Sequence, residues 1–228
     1  MIVRIELLQK AAGLSAAEFS QRWLEQNVDL AGRLPGLLRY EQNHVVDYAQ
    51  RGIEYQRGPE QLDGLSMFWF ENEHTMRAAM DSAEGRAMVE ADGSLVESQR
   101  TLLIDQIQVI PPATDRQLIK RVSTLRRRVD VSMDQFRHEW RDEHARLVKR
   151  ISGVHGYRQN HVLRRESPAG HFVDHAEWPI DGVVELWFDD VDSLDAAFAS
   201  PQGATLMMHA REFIAEITTF LVEPHIIF

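Results

Sequence analysis

Apolar residues run through positions 2–8 and again through 118–125, each stretch about the length of one strand. A helix start follows each. Ser15-Ala16-Ala17-Glu18 has the Ser-x-x-Glu form of a capping box, and Ser132 has Gln135 three positions on. Apolar positions then recur at helical spacing: Phe19, Trp23, Leu30 and Leu34 in the first case, Phe136, Trp140, Leu147 and Ile151 in the second. Gly36 and Gly153 stand where such helices would end. Alternating stretches rich in Tyr and Val at 37–46 and 154–163 predict strands. The segments after them carry Gly, Pro and charge and predict loops. DGLSMFWF and DGVVELWFDD predict third strands, followed by helices near 75–90 and 191–211 and closing strands at 102–110 and 218–227.

The pattern is written twice. Tyr-x-Gln-Asn-His-Val occurs at Tyr40–Val45 and Tyr157–Val162, so that His161 lies 117 positions after His44. The same offset matches Phe19 and Trp23 with Phe136 and Trp140. Beyond the variable loop it becomes 118, matching Asp63-Gly64 with Asp181-Gly182 and Trp69-Phe70 with Trp187-Phe188. A shift of one residue across a loop is what a surface insertion produces. A unit of ~110 residues has the size of a domain, not of a solenoid repeat. The expectation is therefore two domains, 1–112 and 116–228, joined by Pro111-Pro112-Ala113-Thr114-Asp115. Each reads β-α-β-β-α-β, the ferredoxin-like unit, and the fold class is α+β. Two such sheets, each with one bare face, can pack sheet to sheet as an α+β barrel within one chain.

Composition narrows the chemistry. A net charge of −10 argues against nucleic-acid binding. The absence of cysteine removes disulfides, thiolate metal sites and a cysteine nucleophile. No apolar run approaches the ~20 residues of a membrane span, and MIVRIELLQK does not read as a secretory signal, so a cytoplasmic protein without membrane contact is expected. Lys120-Arg121 and Arg126-Arg127-Arg128 read either as solvated strand ends or as a cationic rim that draws in a carboxylate. His171, Asp174 and His175 are close in sequence, but they lie between Ser-Pro-Ala-Gly and Trp-Pro, where helix geometry is not expected. A lid is the reading there, and no metal site is assigned. No phosphate loop, nucleophile elbow or dinucleotide fingerprint occurs, so no cofactor is assigned either.

FRHEWRDEHARLVKRISGVHGYRQNHV, DGVVELWFDD, AFASPQG and LVEPHII resemble the EthD-like family of the dimeric α+β barrel superfamily. The first half repeats the resemblance with FSQRWLEQNVDLAGRLPGLLRYEQNHV and DGLSMFWFENE. The resemblance covers essentially the whole chain and implies cofactor-free proton chemistry on small, often carboxylated, unsaturated molecules. It also implies a histidine acid/base at His144, as in related lactone isomerases.

The residues themselves single out His144, four positions after Trp140 and on the same predicted buried helix face; its counterpart is Asn27. Glu185 sits in an apolar strand where the first half has Met67. If its face looks into the cleft beside His144, a His–Glu pair forms; if it looks into the barrel, it is structural. Tyr157 could polarise a carbonyl oxygen. These three are the expected catalytic residues, with Trp140, Trp187, Arg121 and His161 expected to bind substrate. Tyr40 and His44 repeat Tyr157 and His161, which makes a structural role at the sheet interface the competing reading. The expected function is a cofactor-free isomerase or lyase that moves a proton on an unsaturated carboxylate or lactone, such as an aromatic ring-cleavage product. A cofactor-independent monooxygenase and a non-catalytic barrel binding a small ligand or haem are the alternatives. The expected partner is a small anionic substrate, with pairing into a homodimer left open.

Overall fold

The computed structural model describes residues 1–168 and 170–227; Ala169, in the second long loop, and Phe228, at the end of the second unit, lie outside them. The first unit runs β1 (Ile2–Lys10), α1 (Ala16–Ala31), β2 (Leu37–Asp47), β3 (Gly64–Phe70), α2 (Glu73–Met80), α3 (Ala83–Gly93) and β4 (Val96–Ile110). The second runs β5 (Ile119–Arg127), α4 (Met133–His138), a π-helical segment Glu139–His144, α5 (Ala145–Val148), β6 (Gly156–Glu166), β7 (Gly182–Phe188), α6 (Val191–Ala199), α7 (Pro201–Phe213) and β8 (Ile214–Ile226). Each second helix is thus two helices. Ser82 and Ser200 cap new starts by accepting from Gly85 N and Gly203 N, which breaks the continuous helix that apolar spacing predicts.

Within each unit the strand order is the ferredoxin-like one, and every pairing is antiparallel. The edges then join, β2 to β8 and β6 to β4, so that all eight strands close into one barrel. Closure leaves no strand edge unpaired. The sheets therefore meet edge to edge, and their bare faces become the barrel interior.

Strand alternation now has a fixed meaning. Val3, Ile5, Leu7, Leu102, Ile104, Val122, Val162, Val183 and Phe220 pack inside. Their neighbours along the strands face the helices, where Leu125, Phe136, Trp140, Tyr157, Leu186, Phe188 and Phe213 form the core of the second unit.

The doubled motif is a tie between the first helix of each unit and the sheet. Gln159 Nε2 donates to the carbonyl of Trp140 (2.6 Å) and to the hydroxyl of Tyr157 (2.8 Å). His161 Nε2 lies 3.2 Å from Gln159 Oε1, and the His161 ring lies against the indole of Trp140. Gln42, Trp23, Tyr40 and His44 repeat the arrangement. The paired Asp-Gly has its own reason. Asp181 Oδ2 accepts from Arg127 N, and a Cβ on Gly182 would collide with the Trp140 ring.

One charged network crosses the interior between the units. Lys120, fully buried, reaches Glu41 (2.5 Å), Glu185 (2.6 Å) and Asn43 Oδ1 (2.8 Å), with Arg158 3.4 Å from Glu185. Burial alone would raise the Glu41 carboxyl, but the Lys120 ammonium outweighs it and holds the group below the usual carboxylate range. Removing one partner of such a set strands the others. Lys120→Met is expected to lower the unfolding free energy by about 3–5 kcal/mol in urea titrations at pH 7, with partial recovery when Glu41→Gln and Glu185→Gln are added. A single variant as stable as the parent would show that the network contributes nothing.

Candidate functional site

His144, Trp140, Tyr157, Arg121 and Ser123 line one cavity, between the sheet and the helices of the second unit. Apolar side chains complete it, among them Val184, Leu186, Phe198 and Leu206. Its free volume is about 40 Å³. The cavity is closed by the first unit: Ile53 sits in its wall, Tyr55 donates to Ile214 O (2.7 Å), and Gln50 Nε2 donates to Ile217 O (2.5 Å). Gly52 makes the close crossing with φ 75°, and a Cβ there would meet Leu194 and Phe198. The lid is therefore the loop 48–57 of the other unit. The 167–181 loop, expected as the lid, packs instead toward the first unit, with Phe172 beneath the guanidiniums of Arg77 and Arg164. In that loop His175 is bound to Asp181 (2.9 Å), and no cluster of three metal-ligating side chains occurs among the described residues.

His144 ends the π-helical segment, which holds it and Trp140 buried under the lid. The matching stretch of α1 is ordinary α-helix. Inserted π-turns often mark functional positions. Burial, reinforced by the neighbouring His209 ring, pushes His144 down to about 3, so it is neutral at physiological pH. Its Nδ1 lies 3.2 Å from His209 Nδ1, and its Nε2 has no hydrogen bond among the described residues.

Arg121 is 4 % exposed, and no carboxylate lies within ion-pair distance of it among the described residues. Nη1 donates to Arg51 O of the lid (3.0 Å), the guanidinium stacks 4.2 Å from the Phe198 ring centroid, and Nε has no partner. Burial lowers its pKa to about 9, opposed by the charge of Asp195, which lies beyond ion-pair distance, and the group stays charged at neutral pH. Ser123 Oγ beside it is also unpartnered. A buried unmet polar group costs about 1–3 kcal/mol, so two facing one cavity suit a site that waits for a ligand. Tyr157 accepts from Trp140 Nε1 (3.0 Å) and Gln159 Nε2, and its own hydrogen has no acceptor among the described residues.

The first unit lacks these features position by position. Asn27 replaces His144 and is tied to Asp92 (2.8 Å). Arg4 replaces Arg121 and is neutralised by Glu6 (2.8 Å), where the second unit has Ser123. Tyr40 has Ser66 Oγ at 3.5 Å, where the second unit has Val184.

Three expected site residues lie elsewhere. Glu185 and Trp187 point into the barrel, because Val184, Leu186 and Phe188 take the helix side of β7; no His–Glu pair with His144 forms. His161 belongs to the Gln159 tie and does not line the cavity. The cationic rim is also spent. Lys120 is inside the barrel, and Arg126, Arg127 and Arg128 face Glu216, Asp181 and Asp130. Haem has no room in the cavity as it stands. Sequence reasoning missed His209 and the 48–57 lid, since neither carries a motif.

Burial also holds His44 near 3 and His161 near 4. Folded-state values below the unfolded ~6.5 mean that the unfolded chain takes up protons first. Stability is expected to be fully present above about pH 6.5 and to fall progressively toward pH 4. Two-bond ¹H–¹⁵N spectra should show His144 neutral at pH 5.5, and a midpoint near 6.5 would contradict its desolvated setting.

The EthD domain family matches the chain over residues 11–94 and 128–217. Among solved structures, an anthrone oxidase-like protein superposes with a TM-score of 0.67 at 10 % identity, covering 99 % of this chain and 93 % of that one. A proposed monooxygenase from Lactobacillus acidophilus NCFM gives 0.60 at 12 % identity, with 98 % and 93 % covered. One from Fusobacterium nucleatum gives 0.64 at 7 % identity, with 100 % and 92 % covered. At such identities the likeness is one of fold. No curated protein sequence matches, and no helix of the described residues is long and apolar enough to cross a membrane. Two matched segments that together span most of the sequence make the chain a member of the EthD family, carrying its domain twice.

Proposed function

We propose that the protein is a cofactor-free enzyme that moves a proton on a small unsaturated carboxylate or lactone, an isomerase or lyase with its site in the second unit. The observation that carries this reading is a buried, charged Arg121 without a carboxylate, sharing one apolar cavity with a neutral His144. An anionic substrate supplies a counter-charge in direct contact, which Asp195 does not. Its carboxylate takes over the hydrogen bond that the Arg51 carbonyl now holds and adds bonds to Nε and to Ser123 Oγ. Since ligand sites usually measure about 300 Å³ or more, the 48–57 loop lifts to admit it.

With the anion anchored, His144 Nε2 removes a proton from carbon alpha or gamma to the carbonyl. The electron pair of the C–H bond stays on the substrate as a dienolate. Tyr157 donates its free hydrogen to the developing oxyanion, a role that Val184 leaves open by offering no acceptor. Returning the proton at the other carbon completes a double-bond shift. Expelling a beta leaving group instead gives the lyase outcome. Neither outcome changes oxidation state.

A second reading is favoured by the names of two fold neighbours. In a cofactor-independent monooxygenase the same carbanion would reduce oxygen. Oxygen uptake separates the two. In D₂O, with a panel of muconolactones, dienoates and keto-acids followed by proton NMR, deuterium uptake or isomerisation without oxygen consumption is expected. His144→Ala should lose about 10²–10⁴ in rate. Arg121→Gln should raise KM about tenfold or more, from the loss of a charged hydrogen-bonding anchor. Turnover untouched by both substitutions would remove the site from this cavity.

A further inference from the structure

His144 is held from behind. Its Nδ1 meets Nδ1 of His209, on α7, at 3.2 Å, and Nε2 of His209 meets Glu139 Oε2, in the π-helical segment, at 3.2 Å. Neither His209 nor Glu139 lines the cavity. Both are partly exposed, with 15 % and 25 % of their side-chain surface reaching solvent. The other titratable or charged side chains that line the cavity with His144, among the described residues, are Arg121 on β5 and Tyr157 on β6.

Only one hydrogen fits between two facing Nδ1 atoms, and elementary bookkeeping decides whose it is. A carboxylate can only accept, so Glu139 calls for a hydrogen on Nε2 of His209. With that hydrogen as its only one, His209 has a lone pair at Nδ1, and that lone pair draws the hydrogen of His144 to its own Nδ1. What remains at His144 is a lone pair on Nε2, the nitrogen without a partner on a side chain that lines the cavity.

We infer that His209 and Glu139 are positioning residues, which hold His144 as the Nδ1–H tautomer and steady the imidazolium it becomes. The inference rests on the reading of His144 as the base. When Nε2 takes the substrate proton, the new positive charge faces the Nδ1 lone pair of His209, which is itself backed by the Glu139 carboxylate. On return of the proton to substrate the neutral pair is restored, and nothing else is consumed.

The duplication supplies independent support. The positions matching Glu139, His144 and His209 in the first unit are Arg22, Asn27 and Ala91. All three members are absent together from the unit whose arginine is already neutralised.

Two variants and two readouts test the inference. His209→Phe keeps a ring against Phe213 and His144 but removes the acceptor. Glu139→Ala removes the carboxylate at the edge of the surface. Two-bond ¹H–¹⁵N spectra should place the His144 hydrogen on Nδ1 in the parent protein and move it largely to Nε2 in His209→Phe. Both variants should lose at least about tenfold in kcat with KM within about twofold, at unchanged near-ultraviolet circular dichroism. A parent protein with the His144 hydrogen on Nε2, or a folded His209→Phe with full kcat, overturns the inference. If His209→Phe fails to fold, the parent tautomer and the Glu139→Ala rate decide. The two readings fail separately. A parent protein with the Nδ1–H tautomer but no turnover of any compound counts against the proposed reaction and leaves the tautomer finding standing.

Discussion

Two four-stranded sheets in one chain have four edges and two bare faces, and hydrogen-bonding the edges to each other resolves both problems at once. Pairing β2 with β8 and β6 with β4 satisfies backbone groups that would otherwise face water or another chain. Everything chemical in the molecule follows from that closure. Once the barrel is shut, each strand residue faces either a sealed interior or the cleft under the helices, and a shift of one position exchanges the two. Lys120 and Arg121 are the plainest case. Adjacent in sequence and alike in charge, one is locked between Glu41 and Glu185, and the other stands in an apolar cavity with no carboxylate at ion-pair distance among the described residues.

The sequence carried the architecture because duplication made it self-checking. Asp63-Gly64 and Asp181-Gly182, or the two Tyr-x-Gln-Asn-His-Val segments, fix equivalent strands whatever the propensities of single windows. The same self-similarity marked His144 through its contrast with Asn27. Parity was harder to read. Val183, Glu185 and Trp187 plainly share a face, but which face looks inward depends on the partner strands, and β7 is apolar on both sides. Arg121 was named as a substrate-binding candidate, but its lack of an ion-pair partner was not legible, since isolation is a property of its surroundings and not of its own letter. His209 and the 48–57 loop come from parts of the chain that carry no motif and meet the cavity only in three dimensions.

The two units also show how a site is lost or gained while a fold stays constant. The Gln159 tie and its Gln42 twin are retained because they hold helix to sheet in both halves. The differences gather on the helix side of the sheets. Glu6 against Ser123 decides whether the arginine is neutralised, and Ser66 against Val184 decides whether the tyrosine hydrogen has a protein acceptor. These two replacements leave Arg121 and Tyr157 less satisfied than their twins, whereas in the first unit it is Trp23 Nε1 and Asn27 Oδ1 that lack partners.

That concentration has an energetic side. A buried guanidinium without an ion-pair partner and an unmet hydroxyl cost folding free energy, a cost that Arg4 avoids through Glu6. A fold tolerates such a region when the rest of the molecule over-determines it. Here the over-determination comes from the closed barrel and from the lid lent by the other unit. Arg51 O gives Arg121 one neutral acceptor, a weaker partner than a carboxylate would be. The first unit thereby forms part of the wall of its twin's cavity. Fusion of the two domains in one chain keeps that wall in place.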